Sequence, residues 1–124
     1  KYAKMLGEKM QAHKVNVWMI NTGWTGGAYG TGSRMKLKYT RAMITAALEG
    51  KLNDVEFEAD PIFGFGIPKE CPDVPTEVLN PINTWTDKTA FKEKSKYLAG
   101  LFVKNFDKYA DGVTEGVLAA APKA

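Results

Sequence analysis

Four cationic side chains, Arg34, Lys36, Lys38 and Arg41, fall within eight residues. They follow a glycine-dense stretch, Gly23 to Ser33, that holds Gly23, Gly26, Gly27, Gly30 and Gly32. Glycine lets backbone approach a ligand closely and take conformations that other residues resist. Cations beside the start of a helix suit a phosphate or another anion. The chemistry on offer is therefore anion binding. The stretch is neither of two familiar phosphate motifs. No Gly-Lys followed by Ser or Thr occurs, and Gly30-Thr31-Gly32-Ser33-Arg34-Met35 lacks the third glycine of a dinucleotide fingerprint. On residue types alone, a hairpin connection with solvated lysines explains the segment as well.

Other chemistries are excluded by count. His13 is the single histidine and Cys71 the single cysteine, so no histidine metal cluster, Ser-His-Asp triad or internal disulfide can be assembled from this chain. Lone Cys71, in a loop between Glu70 and Pro72, is expected to be structural, and the lack of disulfides favours a reducing, cytoplasmic setting. Glu56, Glu58 and Asp60 alternate with Val55, Phe57 and Ala59, the pattern of a solvated strand face rather than a metal site. Trp24 and Tyr29 could stack on a base or simply pack the loop. The net charge of +3 is mild, and the basic residues form no run of the kind nucleic acid requires. No stretch approaches the length of a membrane span.

These residues need elements to hold them. A length of 124 residues suits one domain with its own core, and 44% apolar with 25% charged residues is ordinary globular composition. Lys1 to Lys14 reads as a helix already in progress at the first residue, which suggests a chain cut from something longer. Val15 to Thr22 is apolar on both faces, as in a central strand. Tyr39 to Gly50 returns to helical spacing with Thr40 near its start and Gly50 as the stop. The order helix, strand, glycine loop, helix is an α/β signature, a mixed sheet with flanking helices. Prolines 68, 72, 75 and 81 punctuate a connecting region. Thr86 or Asp87 is the expected cap of a long helix to about Ala110. Its stripe of Phe91, Leu98, Phe102, Phe106 and Tyr109 is expected to be core, and a short helix is expected within Thr114 to Ala121.

Several blocks, in order, carry a resemblance. Asn21-Thr22-Gly23-Trp24, a glycine loop, then Arg34-Met35-x-Leu37-x-x-Thr40-Arg41 and Ala42-Met43-Ile44-Thr45-Ala46-Ala47-Leu48 resemble the ATP-dependent phosphoenolpyruvate carboxykinases. Phe63-Gly64-Phe65-Gly66-Ile67-Pro68, Leu79-Asn80-Pro81 with Asn83-Thr84-Trp85, and Leu101-Phe102-Val103-Lys104-Asn105-Phe106 continue it. The resemblance covers essentially the whole chain. It implies that residues 1–124 are the C-terminal portion of the nucleotide-binding domain of a cytoplasmic, gluconeogenic enzyme, with the upstream part of the same protein as its partner. Such enzymes convert oxaloacetate and ATP to phosphoenolpyruvate, carbon dioxide and ADP with Mg²⁺ and Mn²⁺. The family's nucleotide contacts carry over onto Arg34 on the ribose–phosphate side, Met35 near the base and Thr40 at the adenine edge. Met35 replaces an aliphatic residue common at that place. The family's phosphate loop, metal-binding aspartates and catalytic lysine and histidine have no counterpart, so no catalytic or metal residue is expected here and the chain alone should be inactive. The alternatives are a stand-alone, non-catalytic nucleotide-binding module and a purely structural interaction domain docking through the long helix.

Overall fold

The computed structural model describes residues 2–123, and Lys1, counted in the expected first helix, lies outside them. Helix α1 spans Tyr2–His13 and buries none of its residues. The chain is α/β, and its described residues form helices joined by two small antiparallel sheets.

The strand expected over Val15 to Thr22 is not formed. A strand exists only where its backbone finds a ladder partner, and among the described residues the paired strands are others. The alternation is nevertheless visible. Trp18 and Ile20 are half-buried while Val15, Val17 and Met19 stand exposed, so one of the two apolar faces is covered.

The glycine stretch closes a hairpin. Strands β1 (Trp24–Thr25) and β2 (Ser33–Arg34) pair antiparallel, Trp24 opposite Arg34 and Thr25 opposite Ser33. The Met35 amide extends the pairing by donating to the Gly23 carbonyl at 2.7 Å. Helix α2 (Leu37–Leu48) follows after Met35 and Lys36 and starts two residues earlier than its spacing predicts. Its end is as expected. Gly50 takes φ 72°, its amide donates to Ala47 and that of Lys51 to Ala46, the paired closure of a helix by a left-handed glycine. That turn drops Leu52 onto Ala46, and with Cys71 and Val74 these form the small buried core. Trp18, Tyr39, Met43 and Val78 pack around it.

Strands β3 (Phe57–Ala59) and β4 (Gly66–Pro68) pair with Phe57 opposite Pro68 and Ala59 opposite Gly66. The turn between them is held by Asp60, whose Oδ1 accepts from the Ile62 and Phe63 amides at 2.9 and 2.6 Å. Glu56 meets Lys69 at 2.9 Å and Glu58 accepts from Asn80 at 2.8 Å, both at the surface. The short helix α3 (Thr76–Leu79) and a 3₁₀ turn over Pro81–Thr84 lead to α4 (Lys88–Phe106). Asp87 is the cap of α4, accepting from the Thr89 and Ala90 amides. A second 3₁₀ turn (Asp107–Gly112) and α5 (Glu115–Ala119) are the last elements of the described residues.

The aromatic stripe of α4 is not core here. The helix ends at Phe106 rather than near Ala110, where the chain tightens into the 3₁₀ turn that holds Tyr109. Phe91 and Phe106 are half-buried, but Leu98, Phe102 and Tyr109 are exposed, and only Ala99 of the helix is buried. Helical spacing dictates which face is apolar; it does not supply the layer that covers it.

Candidate functional site

Asn21 fixes where the hairpin leaves the chain. Its Oδ1 accepts from the Gly23 amide at 2.9 Å and its Nδ2 donates to the Trp24 carbonyl at 3.0 Å. A side-chain amide that bridges its own downstream backbone in this way substitutes for a turn. At the loop's narrowest point the backbone folds onto itself. A Cβ added at Gly32 would lie 2.6 Å from the Thr25 carbonyl oxygen and would also collide with the Gly27 carbonyl. These are backbone atoms that cannot swing aside. Gly32→Ala is therefore expected to destabilise the protein by about 2 kcal/mol or more through strain at this crossing. Thermal or denaturant unfolding checks it; a variant as stable as the parent would show that the hairpin is not so tightly closed.

Beyond the loop, alternation along β2 sends neighbouring side chains opposite ways. Arg34 is exposed, and its guanidinium lies 6.0 Å from the centre of the Trp24 ring opposite it. Trp24 in turn meets Tyr29 edge-on at 5.2 Å, so the two loop aromatics pack on each other. Met35 turns inward and is buried. Its amide is already committed to Gly23, which leaves only its carbonyl to offer a ligand. Thr40, also buried, sits in the first turn of α2, its amide donating to the Lys36 carbonyl at 3.3 Å. Lys36 and Lys38 lie over the Tyr39 ring at 5.8 and 5.1 Å, and Tyr39 packs on the core. Both ion pairs of the described residues, Lys51–Glu49 and Lys69–Glu56, involve other groups. Arg34, Lys36, Lys38 and Arg41 thus present positive charge, with no carboxylate of the described residues in an ion pair with it, at the start of a helix.

An apolar cavity lies elsewhere. It measures about 470 Å³ and is walled by Trp18, Ile20, Met35, Met43, Phe63 and Phe91 among others. Of the three expected nucleotide contacts it takes Met35 and neither Arg34 nor Thr40. Its walls are overwhelmingly apolar, and Asp60 at its edge already serves the turn above β4. What unites Arg34, Met35 and Thr40 is connection rather than a shared cavity. A strand end, a two-residue link and a helix's first turn carry all three within seven residues.

Cys71 is buried in the core, and burial pushes its thiol pKa up, with the charge of Asp73 adding to the effect. It stays a protonated, structural thiol. No group of three histidine, cysteine or acidic side chains among the described residues could hold a metal ion. None of the described helices is long and apolar enough to cross a membrane.

Against known proteins, the family profile described as phosphoenolpyruvate carboxykinase matches residues 1–77, more than half of the chain. The chain belongs to the ATP-dependent phosphoenolpyruvate carboxykinase family. It is 57% identical over 121 residues to the phosphoenolpyruvate carboxykinase (ATP) of Christiangramia forsetii and 57% identical over 122 residues to that of Flavobacterium johnsoniae. It is 52% identical over 122 residues to the enzyme of the same name from Caldanaerobacter subterraneus. Each match takes in 98% of this chain and 23% of the carboxykinase it resembles. The chain therefore spans about a quarter of the length of these carboxykinases.

Asn21 and Thr84 were quoted in the sequence blocks that resemble the carboxykinases, yet residue types alone gave neither a role. Asn21 had a local signal, an asparagine two residues before glycine at a loop entrance. Thr84, which bonds the loop from 58 residues away, had none.

Proposed function

We propose that residues 1–124 are the C-terminal portion of the nucleotide-binding domain of an ATP-dependent phosphoenolpyruvate carboxykinase, completed by an upstream part of the same protein. The observation that carries this reading is 57% identity sustained over 98% of the chain to enzymes of that name. The complete enzyme would decarboxylate oxaloacetate and phosphorylate it with ATP, giving phosphoenolpyruvate, carbon dioxide and ADP in the cytoplasm. Within it, this chain would bind the nucleotide rather than transform it.

Arg34 projects from the hairpin end as an exposed guanidinium, in no ion pair among the described residues and suited to oxygens on the ribose–phosphate side. Met35 offers its carbonyl and the apolar edge of its side chain near the base, and the soft thioether fills the place of an aliphatic residue. Thr40 would present its hydroxyl to the adenine edge from the first turn of α2. The neighbouring lysines and the helix start add positive potential for an anion. The described residues do not fit Mg²⁺ or Mn²⁺, since they contain no cluster of ligands for either, and no metal-dependent step is assigned to them. Phosphoryl transfer requires several positioned cationic groups around the moving phosphoryl, and Arg34 alone does not provide them. The isolated chain is accordingly inactive.

Calorimetric titration of the isolated chain with ATP and Mg²⁺ tests the division of labour. One charge-assisted hydrogen bond contributes about 1.5–3 kcal/mol, whereas micromolar affinity requires about 8 kcal/mol. No saturable binding in the micromolar range is expected. Micromolar binding would favour a self-sufficient, non-catalytic nucleotide module instead.

A further inference from the structure

The hairpin that carries Arg34 cannot hold its own position. Each of its strands has two residues, and an isolated two-stranded hairpin is at best marginally stable in water. It is tied down at a second point by Thr84, far away in sequence. The Thr84 hydroxyl donates to the Pro81 carbonyl at 2.7 Å, accepts from the Gly26 amide at 3.1 Å and meets the Thr25 hydroxyl at 3.2 Å. A hydroxyl has one proton and two lone pairs, and here all three are engaged, so the Thr25 hydroxyl must be the donor to Thr84. The approach is close enough that a Cβ at Gly26 would lie 3.2 Å from the Thr84 carbonyl oxygen.

The other end of this tether is firm. Thr84 closes the 3₁₀ turn Pro81–Thr84, which starts on a proline and is capped by Asn80. Asn80 is itself bonded to Glu58 of β3, and Lys88 at the start of α4 donates to the Ile82 carbonyl at 2.6 Å. Trp85 then packs edge-on against Phe91 of α4 at 5.6 Å. The loop is thus bolted to the junction of β3, the 3₁₀ turn and α4, while its Arg34 end runs into α2.

We propose that Thr84 is a positioning residue for nucleotide binding, whose hydroxyl sets the height and tilt of the Gly23–Ser33 loop and hence of the groups at its Arg34 end. This rests on the reading of Arg34 as a nucleotide contact. Thr84 touches no ligand itself; it acts through Gly26 and Thr25. Losing the hydroxyl while keeping the side chain's shape should loosen ATP binding and leave the chemical step and the other substrate alone.

The test uses the full-length enzyme that carries this segment, with Thr84→Val and Thr84→Ser compared against the parent. Each hydrogen bond contributes on the order of 1 kcal/mol, so Thr84→Val should raise the ATP KM roughly 3- to 10-fold. Its kcat and its oxaloacetate KM should stay within about twofold, and Thr84→Ser, which keeps the hydroxyl, should restore the ATP KM. Thr25→Val, which removes one of the three bonds, should raise the ATP KM by a smaller factor and covers the case in which Thr84→Val does not fold. The inference is overturned if the ATP KM is unchanged in Thr84→Val, or, should that variant not fold, in Thr25→Val. It is also overturned if serine fails to rescue, or if kcat and both KM values move together, which would mark a purely structural threonine. Arg34→Ala measured alongside separates the two claims. A raised ATP KM there, with none in Thr84→Val, sinks the tether and leaves the nucleotide reading standing.

Discussion

The isolated 124-residue chain is expected to self-associate at micromolar concentration and to unfold without a sharp transition. A folded monomer of 13.7 kDa should expose about 6,600 Å² of surface by the usual size scaling. This chain exposes 9597 Å². The excess, about 3,000 Å², is as large as an obligate protein–protein interface. Much of it is apolar, since Tyr2, Leu6, Val17 and Met19 are each more than 60% exposed, the α4 stripe adds Leu98 and Phe102, and Tyr109 follows in the 3₁₀ turn. Against this stand six buried apolar residues among those described, too few to impose a cooperative transition. On the proposed reading, an upstream part of the same protein would cover these faces and the apolar cavity beside Met35. Alone, the chain can cover them only with further copies of itself. Light scattering and binding of an apolar dye read this out directly. A monodisperse monomer with a cooperative melt and no dye binding would mean that the chain is a domain in its own right.

The same surface explains which parts of the structure were legible in the sequence. Features whose cause is local were readable. The Gly50 closure of α2 needs only one residue at positive φ, and the Asp87 cap of α4 needs a carboxylate and two amides next to it. Features whose cause is a distant surface were not. Val15 to Thr22 has a strand's alternation but no ladder partner among the described residues, and the α4 stripe has a core's spacing but no opposing layer. The site divides in the same way. The cluster of cations after a glycine loop was visible as residue types. That Met35 turns away from Arg34 and has its amide committed to Gly23 is a matter of register. The Thr84 tether depends on a contact across 58 and 59 residues, which no window along the chain contains.

Arg34→Ala in the full-length enzyme is expected to raise the ATP KM roughly 10- to 100-fold, the equivalent of one charge-assisted hydrogen bond made to the nucleotide. The side chain is exposed, lies over Trp24 at 6.0 Å and is absent from the ion pairs of the described residues, so little else depends on it. Exposed substitutions of this kind leave stability within about 0.5 kcal/mol, and the melting temperature should hardly move. That separates a lost contact from a damaged fold. On the proposed reading, in which the chemistry belongs to groups outside this chain, kcat should fall far less than the ATP KM rises, and the oxaloacetate KM should not change. Arg34→Lys gives the finer reading. A lysine restores the charge but not the planar fork of donors, so recovery of only part of the lost affinity would indicate paired hydrogen bonds to oxygens, while full recovery would indicate a point charge. An unchanged ATP KM in Arg34→Ala would remove this guanidinium from the nucleotide site. The hairpin would then have to serve through its backbone alone.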